Sequence, residues 1–264
     1  MKSIGIVYTT FLRPQLANQT LATIKANWHP AFSLIIGEQI RGNILAPGAE
    51  PIDSILFKDF PFYDDPIHPV LVLRFPFDCG VSLVRNALIN RLWKDEVPYC
   101  LVTADSIAFT QHTVARLDAA VAFLEAHPDV GILGFDLKDR VAWEWYMELK
   151  NQRFVLSRTP ELTLDEASGL LVKSCDICRQ FFLARVDAIL KVKWDEAFKT
   201  GDHEDFFWRF KQSGYKVYWT PDICGQYIHS RPPEYAPYRN RQYTEYMRLL
   251  FKKYNLTDWV EYAR

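Results

Sequence analysis

The run SIGIVYTTFLRPQLANQTLATIKANW, residues 3–28, sets the pattern of the whole chain. Its apolar block Ile4–Tyr8 reads as a buried strand. Over Gln15–Asn27 the spacing changes: Leu16, Thr20, Ile24 and, just beyond, Trp28 fall four apart, as on one face of a helix. The same alternation continues outward. Phe32–Ile36 and Val70–Arg74 read as strands, Val81–Lys94 as a helix and Tyr99–Thr103 as a strongly apolar strand. Thr113–Ala126 reads as a helix ending at His127-Pro128, and Val130–Phe135 as another strand. Leu45 to Pro69, rich in Pro, Gly and Asp, reads as an irregular connection. Alternating β and α units predict an α/β fold: a central, mostly parallel sheet with helices on both faces.

The second half is less regular. Trp143–Leu149 and Phe154–Leu156 suggest a hairpin or excursion. Val186–Leu190 and Glu204–Gln212 read as helices, Lys216–Trp219 as a strand, and Tyr243–Tyr254 as a helix in a tail rich in Tyr and Arg. At 264 residues, 49% hydrophobic and 24% charged, the chain has the bulk of one large globular domain, not of a disordered, coiled-coil or collagen-like protein. Lys+Arg 31 against Asp+Glu 32 gives a net charge of −1, which does not favour a nucleic-acid partner. No apolar run is long enough for a membrane span, and no leader pattern opens the chain, so a cytoplasmic location is expected. The five cysteines sit mostly in apolar runs and read as buried thiols. Cys175 and Cys178 form one C-x-x-C, without the second pair that a structural zinc site needs.

In open α/β sheets, ligands sit beyond the carboxyl ends of the strands. Thr9-Thr10-Phe11-Leu12-Arg13-Pro14 follows the first strand, Gly37-Glu38-Gln39 the second, and Ala104-Asp105-Ser106 the strand at 99–103. All three segments would meet at one edge. Thr, Glu and Gln there can hydrogen-bond a base or ribose, and Asp105 is a hard oxygen ligand suited to Mg²⁺ or Mn²⁺. Taken singly, a loop Asp serves equally as a turn former or helix cap.

In order, these segments resemble the inverting, family 2-type glycosyltransferases of the GT-A fold. SIGIVYTTFLRP (3–14) looks like their opening strand and loop. CGVSLVRNALINRL (79–92) is similar to their G-x-S-x-x-R-N helix, and YCLVTADSIAFT (99–110) falls where they carry D-x-D. VKWDEAFKTGDHEDFFWRFKQSGYKVYWTPDI (192–223) looks like their W-D-E and G-E-D-x-D region, with YIHS (227–230) supplying the following His. The G-D-H-E-D-F-F variant is closest to ganglioside-type β-1,4-N-acetylgalactosaminyltransferases and their bacterial and viral relatives.

The resemblance implies a transferase for a nucleotide-diphosphate sugar, UDP-linked, with a hydroxyl acceptor such as a glycan or a modified nucleobase in DNA. It implies a catalytic body over 1–230, with a nucleotide-sugar half to 137, an acceptor half from 138, and a basic, aromatic helical tail at 231–264. Thr9, Thr10, Arg13, Glu38, Arg85, Thr103, Ala104 and Asp105 fall at the donor side. Thr103 replaces the first Asp of D-x-D. Asp105 and His229 fall where a divalent cation, Mn²⁺ or Mg²⁺, is held. The base position aligns with His203, flanked by Asp202 and Glu204, and a neighbouring carboxylate serves equally as the base, so the cluster of three is the catalytic candidate; N-capping by Asp202 is the structural alternative. Trp143, Trp145 and Asp176 fall on the acceptor side. The incomplete D-x-D keeps open a second reading, an inactive GT-A-like binding module.

Overall fold

The computed structural model describes residues 3–41, 54, 60–138, 140–258 and 261–262. The opening strand–helix unit forms as predicted: β1 (Ile4–Phe11), α1 (Pro14–Ala26) and β2 (Phe32–Ile40). Pro14 at the first helical turn of α1 supplies a preset φ and lacks only an N–H that would be unbonded anyway. β3 (Val70–Pro76), α2 (Val81–Lys94) and β4 (Tyr99–Ala104) follow. Beyond them come β5 (Ile107–Ala108), α3 (Gln111–Val114), α4 (Leu117–Ala126) and β6 (Val130–Lys138). The helix expected over Thr113–Ala126 is therefore two pieces. The second half holds β7 (Tyr146–Lys150), β8 (Arg153–Ser157), β9 (Thr163–Leu164), β10 (Leu171–Cys175), β11 (Phe182–Arg185) and α5 (Val186–Val192). It closes with α6 (His203–Gln212), β12 (Lys216–Tyr227), α7 (Ala236–Asn240), α8 (Glu245–Tyr254) and β13 (Glu261–Tyr262).

The main sheet runs β3-β2-β1-β4-β11-β6-β12-β10-β9, with β5 paired to β12. β3, β2, β1 and β4 are parallel neighbours, and so are β6 and β12. β11 is inserted antiparallel between β4 and β6, with Phe182 opposite both Val102 and Gly134. β7, β8 and β13 form a separate small sheet.

Side-chain alternation along the strands divides the core into two layers. Ile4, Ile6 and Tyr8 face α1 and α4, packing against Ala17, Leu21, Ile24, Leu117, Phe123 and Leu124. Val7 faces the other way, into a cluster built by α2, α5 and α6 with Val84, Leu88, Ile189, Phe206 and Phe210. Tyr246 and Leu250 of α8 join this second layer, so the tail is docked on the body. Cys100, Cys175, Cys178 and Cys224 are buried thiols and Cys79 is half-buried. Among the described residues, no helix is long and apolar enough to cross a membrane.

Candidate functional site: a cleft at the carboxyl edge of the sheet

Parallel pairing puts the ends of β1, β2 and β4 side by side, with Thr9 opposite both Gly37 and Ala104. A cleft of about 560 Å³ opens there, lined by Thr9, Thr10, Arg13, Gln39, Ala104 and Asp105 on the strand side. Opposite them are Arg85 of α2, Asp202, His203 and Glu204 at the start of α6, and Trp143. Arg239, Arg241, Tyr235 and Tyr238 of the tail complete the wall.

The G-x-S-x-x-R-N segment braces the acidic loop across the cleft. Gly80 opens α2 at φ 98°, and a Cβ there would lie 2.7 Å from the Lys199 Cα, so the position needs glycine. The Ser82 hydroxyl donates to the Phe198 carbonyl at 2.6 Å. The Asn86 amide donates to the Trp194 carbonyl and accepts from the Trp194 N–H, both at 2.9 Å. Arg85 Nη1 lies 2.8 Å from Asp202 Oδ2, and the Gln180 amide donates to the same oxygen at 3.0 Å. Asp202 does stand at the N-cap of α6, but its side chain makes no capping bond. Its carboxylate is spent on Arg85 instead.

His203 and Glu204 begin α6, whose N-terminal dipole favours acidic residues in its first turn. Burial pushes the His203 imidazole down to about 3, against the pull of Asp202 and with Arg85, Arg179 and Arg239 adding to the shift. The ring is therefore neutral near pH 7, and it packs on Trp143 with centroids 4.8 Å apart. Burial pushes the Glu204 carboxyl up to about 7; the Asp202 charge adds to this, while a backbone hydrogen bond and Arg239 oppose it. Asp205, one residue on, is turned away. It accepts from Arg209 Nε at 2.9 Å and from the Tyr254 hydroxyl at 2.7 Å, and pairs with Lys253, tying α6 to α8.

Several residues expected at the site lie elsewhere. Glu38 is inside β2 rather than after it, because the strand runs to Ile40; its carboxylate takes the Ser54 hydroxyl at 3.0 Å and Arg74 Nε at 3.1 Å. Its neighbour Gln39 is the β2 residue that lines the cleft, its Oε1 accepting from the Gly80 N–H at 3.0 Å. Strand alternation separates the two. Thr103 is fully buried in β4, and among the described residues its hydroxyl has no hydrogen-bond partner. Asp176 is not in the cleft: its Oδ2 accepts from the Met147 N–H at 2.8 Å and Lys211 Nζ at 2.7 Å, holding β7 against α6. Trp145 is likewise outside, bridged to Ile177 and packed in the second core layer. Trp143 is at the cleft wall.

The tail's share of the cleft was not legible as such. Tyr235 and Tyr238 close edge-on over Phe11, and Tyr238 also meets Phe77. The Arg13 guanidinium lies over the Tyr235 ring at 4.1 Å, and Arg241 pairs with Asp78. The signal was the interleaving of Tyr and Arg at 231–243, which also suits an ordinary surface helix.

Asp105 sits on the cleft wall, but both of its oxygens are engaged. Arg13 donates to Oδ1 and Oδ2, the latter at 3.1 Å from Nε, and the Thr10 hydroxyl donates to Oδ2 at 3.0 Å. His229 is exposed beyond the end of β12 and is not among the cleft residues. Among the described residues, no three His, Cys, Asp or Glu side chains gather as a metal-holding group. A hard divalent cation wants several free oxygen ligands. One carboxylate already paired with a guanidinium does not fit it.

No family model and no curated protein matches this sequence. Among solved structures, the chain is similar to S. aureus TarS 1–349, with TM-score 0.58 and 14% identity over 96% of this chain and 65% of that one. It is equally similar to TarS 1–349 in complex with UDP, with TM-score 0.57 and 14% identity over the same shares. The chain thus spans 65% of the length of the solved structure it matches. At this level of identity the likeness is one of fold, and the fold is the α/β, mostly parallel sheet of the GT-A type.

Proposed function

We propose that this chain is an inverting glycosyltransferase that moves a sugar from a nucleotide-diphosphate sugar, UDP-linked, to a hydroxyl acceptor of glycan or modified-nucleobase type. The observation that carries the reading is one cleft in which the ends of β1, β2 and β4 face the Asp202–Glu204 cluster. A fold shared with a protein solved bound to UDP supports the donor class. The G-D-H-E-D-F-F run, resembling the ganglioside-type enzymes, supports sugar transfer.

The chemistry needs a base on the acceptor side and positive charge on the donor side. The acceptor oxygen attacks the anomeric carbon and the bond from that carbon to the diphosphate breaks. The electron pair leaves on the diphosphate oxygen, and the acceptor proton goes to a cleft base. Glu204 suits this part, because a carboxyl poised near 7 balances basicity against availability near neutral pH. Asp202 is too strongly paired with Arg85 to be a free base, and its role is to hold Arg85 and the start of α6 in place. Neutral His203 and Trp143 form a flat wall on which an acceptor ring can stack.

The test is a thermal-shift screen of nucleotide sugars followed by an assay of UDP release and of transfer to candidate acceptors. Stabilisation by one donor together with UDP release supports the reading. Stabilisation without release or transfer favours the inactive binding module, a reading to which the Thr103 substitution and the Arg13–Asp105 pair lend weight. No response to any nucleotide sugar overturns both.

A further inference from the structure

We infer that this cleft holds the diphosphate of its donor with arginine side chains in place of a divalent cation, Arg13 standing beside Asp105 where a metal would bind. The inference rests on the nucleotide-sugar reading above, and the experiment below separates the two.

Two independent observations lead to it. The first is the Arg13–Asp105 pair. Arg13 meets both carboxylate oxygens, and its Nη1 also donates to the Ser230 carbonyl at 3.3 Å. The side chains are 11% and 1% exposed. A cation at Asp105 would have to expel Arg13 and leave its charge unpaired in a buried place, which is costly. The position is thus already filled by a tethered cation, locked from above by Tyr235.

The second observation is an excess of positive charge. Eight Arg or Lys side chains line the cleft against four Asp or Glu. Arg13, Arg85, Lys199 and Arg241 are paired with cleft carboxylates. Among the described residues, Arg179 and Arg239 have no carboxylate partner, although both are half-buried. Arg179 gives one bond to the Val141 carbonyl, and its buried Nε has no partner. Arg239 gives one bond to the Thr200 hydroxyl. Half-buried guanidinium groups with donors to spare are suited to a bidentate anion. Arg239 also acts electrostatically on Arg85, His203 and Glu204, so its charge is felt at the base as well as in the donor space. When the sugar–oxygen bond breaks, the departing diphosphate gains one negative charge, and these guanidinium groups are placed to meet it.

Pyrophosphate and UDP are the probes. Their binding to the full chain is measured calorimetrically in EDTA and again with Mn²⁺, for the native protein and for Arg239→Gln and Arg179→Gln. Neither variant breaks a salt bridge among the described residues, although Arg179 lies in the field of Asp136 and Glu144 and Arg239 in that of Glu204, so the fold should survive; circular dichroism checks this. The expected result is the same Kd for each probe in EDTA and in Mn²⁺, weakened roughly tenfold or more in each variant, as for a lost charge-assisted hydrogen bond. Pyrophosphate binding of this kind with UDP no tighter than pyrophosphate upholds the arginine site and removes the nucleotide reading. Binding that vanishes in EDTA and returns with Mn²⁺, or that ignores both substitutions, overturns the inference and leaves the nucleotide reading standing. Failure of both probes under both conditions overturns the two together.

Discussion

Glu204 and His203 are adjacent in sequence and opposite in state. Burial raises the Glu204 carboxyl to about 7 and lowers the His203 imidazole to about 3. If Glu204 takes the acceptor proton, it must be ionised, so transfer should rise with pH up to about 7 and then level off. Glu204→Gln should lower turnover by about 10²–10⁴-fold and abolish that rise, with donor binding little changed; pH–rate profiles of both proteins check it. His203→Ala should be milder, because its neutral ring packs on Trp143 and Phe207 and takes no proton near pH 7. The stability sign is also fixed. A carboxyl raised in the fold is protonated there while ionised in the unfolded chain, between about 4.5 and 7, so its contribution falls as pH rises through that window. Glu204→Gln should therefore stabilise the protein above pH 7, by up to about 3 kcal/mol from a shift of that size, and much less at pH 4; thermal melts at the two pH values measure it. Asp202→Ala reports on a different residue role. The sequence suggests a cap worth about 1 kcal/mol. With Arg85 left unpaired in a buried site, the expected loss is about 3–5 kcal/mol. Denaturant titration distinguishes the two. The one-residue slip between Glu38 and Gln39 belongs to this scale too: the apolar block at 32–36 ends visibly, but the strand continues through polar residues whose facing depends on a pairing partner, β3, that lies more than thirty residues away.

At the scale of elements, α2 and the 194–204 segment act as one part. Ser82, Arg85 and Asn86 each reach across to it. This explains in physical terms why an R-N helix and a W-D-E loop occur in one chain: the helix supplies the loop's hydrogen bonds. Asn86→Ala should leave the Trp194 backbone groups unsatisfied and cost on the order of 2 kcal/mol. Because it also loosens the lead into α6, turnover should fall more than donor affinity; melts and a kcat-against-KM comparison check both. The β/α units of the first half were legible because each strand is apolar and each helix has its own period. β11 was not. Its apolar residues mark it as buried, but nothing local tells that it enters antiparallel between β4 and β6, since that register is set by partners eighty and fifty residues upstream. Asp176 was misplaced for the same reason: its position is fixed by the β7 backbone and Lys211, contacts made only in the folded chain.

For the whole molecule, the ends of β1, β2 and β4 form one wall of the cleft, the start of α6 the opposite wall, and the tail closes one side. Tyr238 meets Phe11 at 5.2 Å and Phe77 at 5.5 Å, both edge-on. Tyr238→Ala should cost about 1–2 kcal/mol of stability from these ring contacts and weaken UDP binding by opening the cleft; calorimetry on the folded variant tests the second effect. The most direct test of the account is a structure of the protein with UDP bound. The predicted result is a uracil and ribose at Thr9, Thr10 and Gln39, with the diphosphate turned toward Arg239 and the His203–Glu204 turn. UDP bound outside this cleft, or in it with the diphosphate pointing away from α6, would contradict the account.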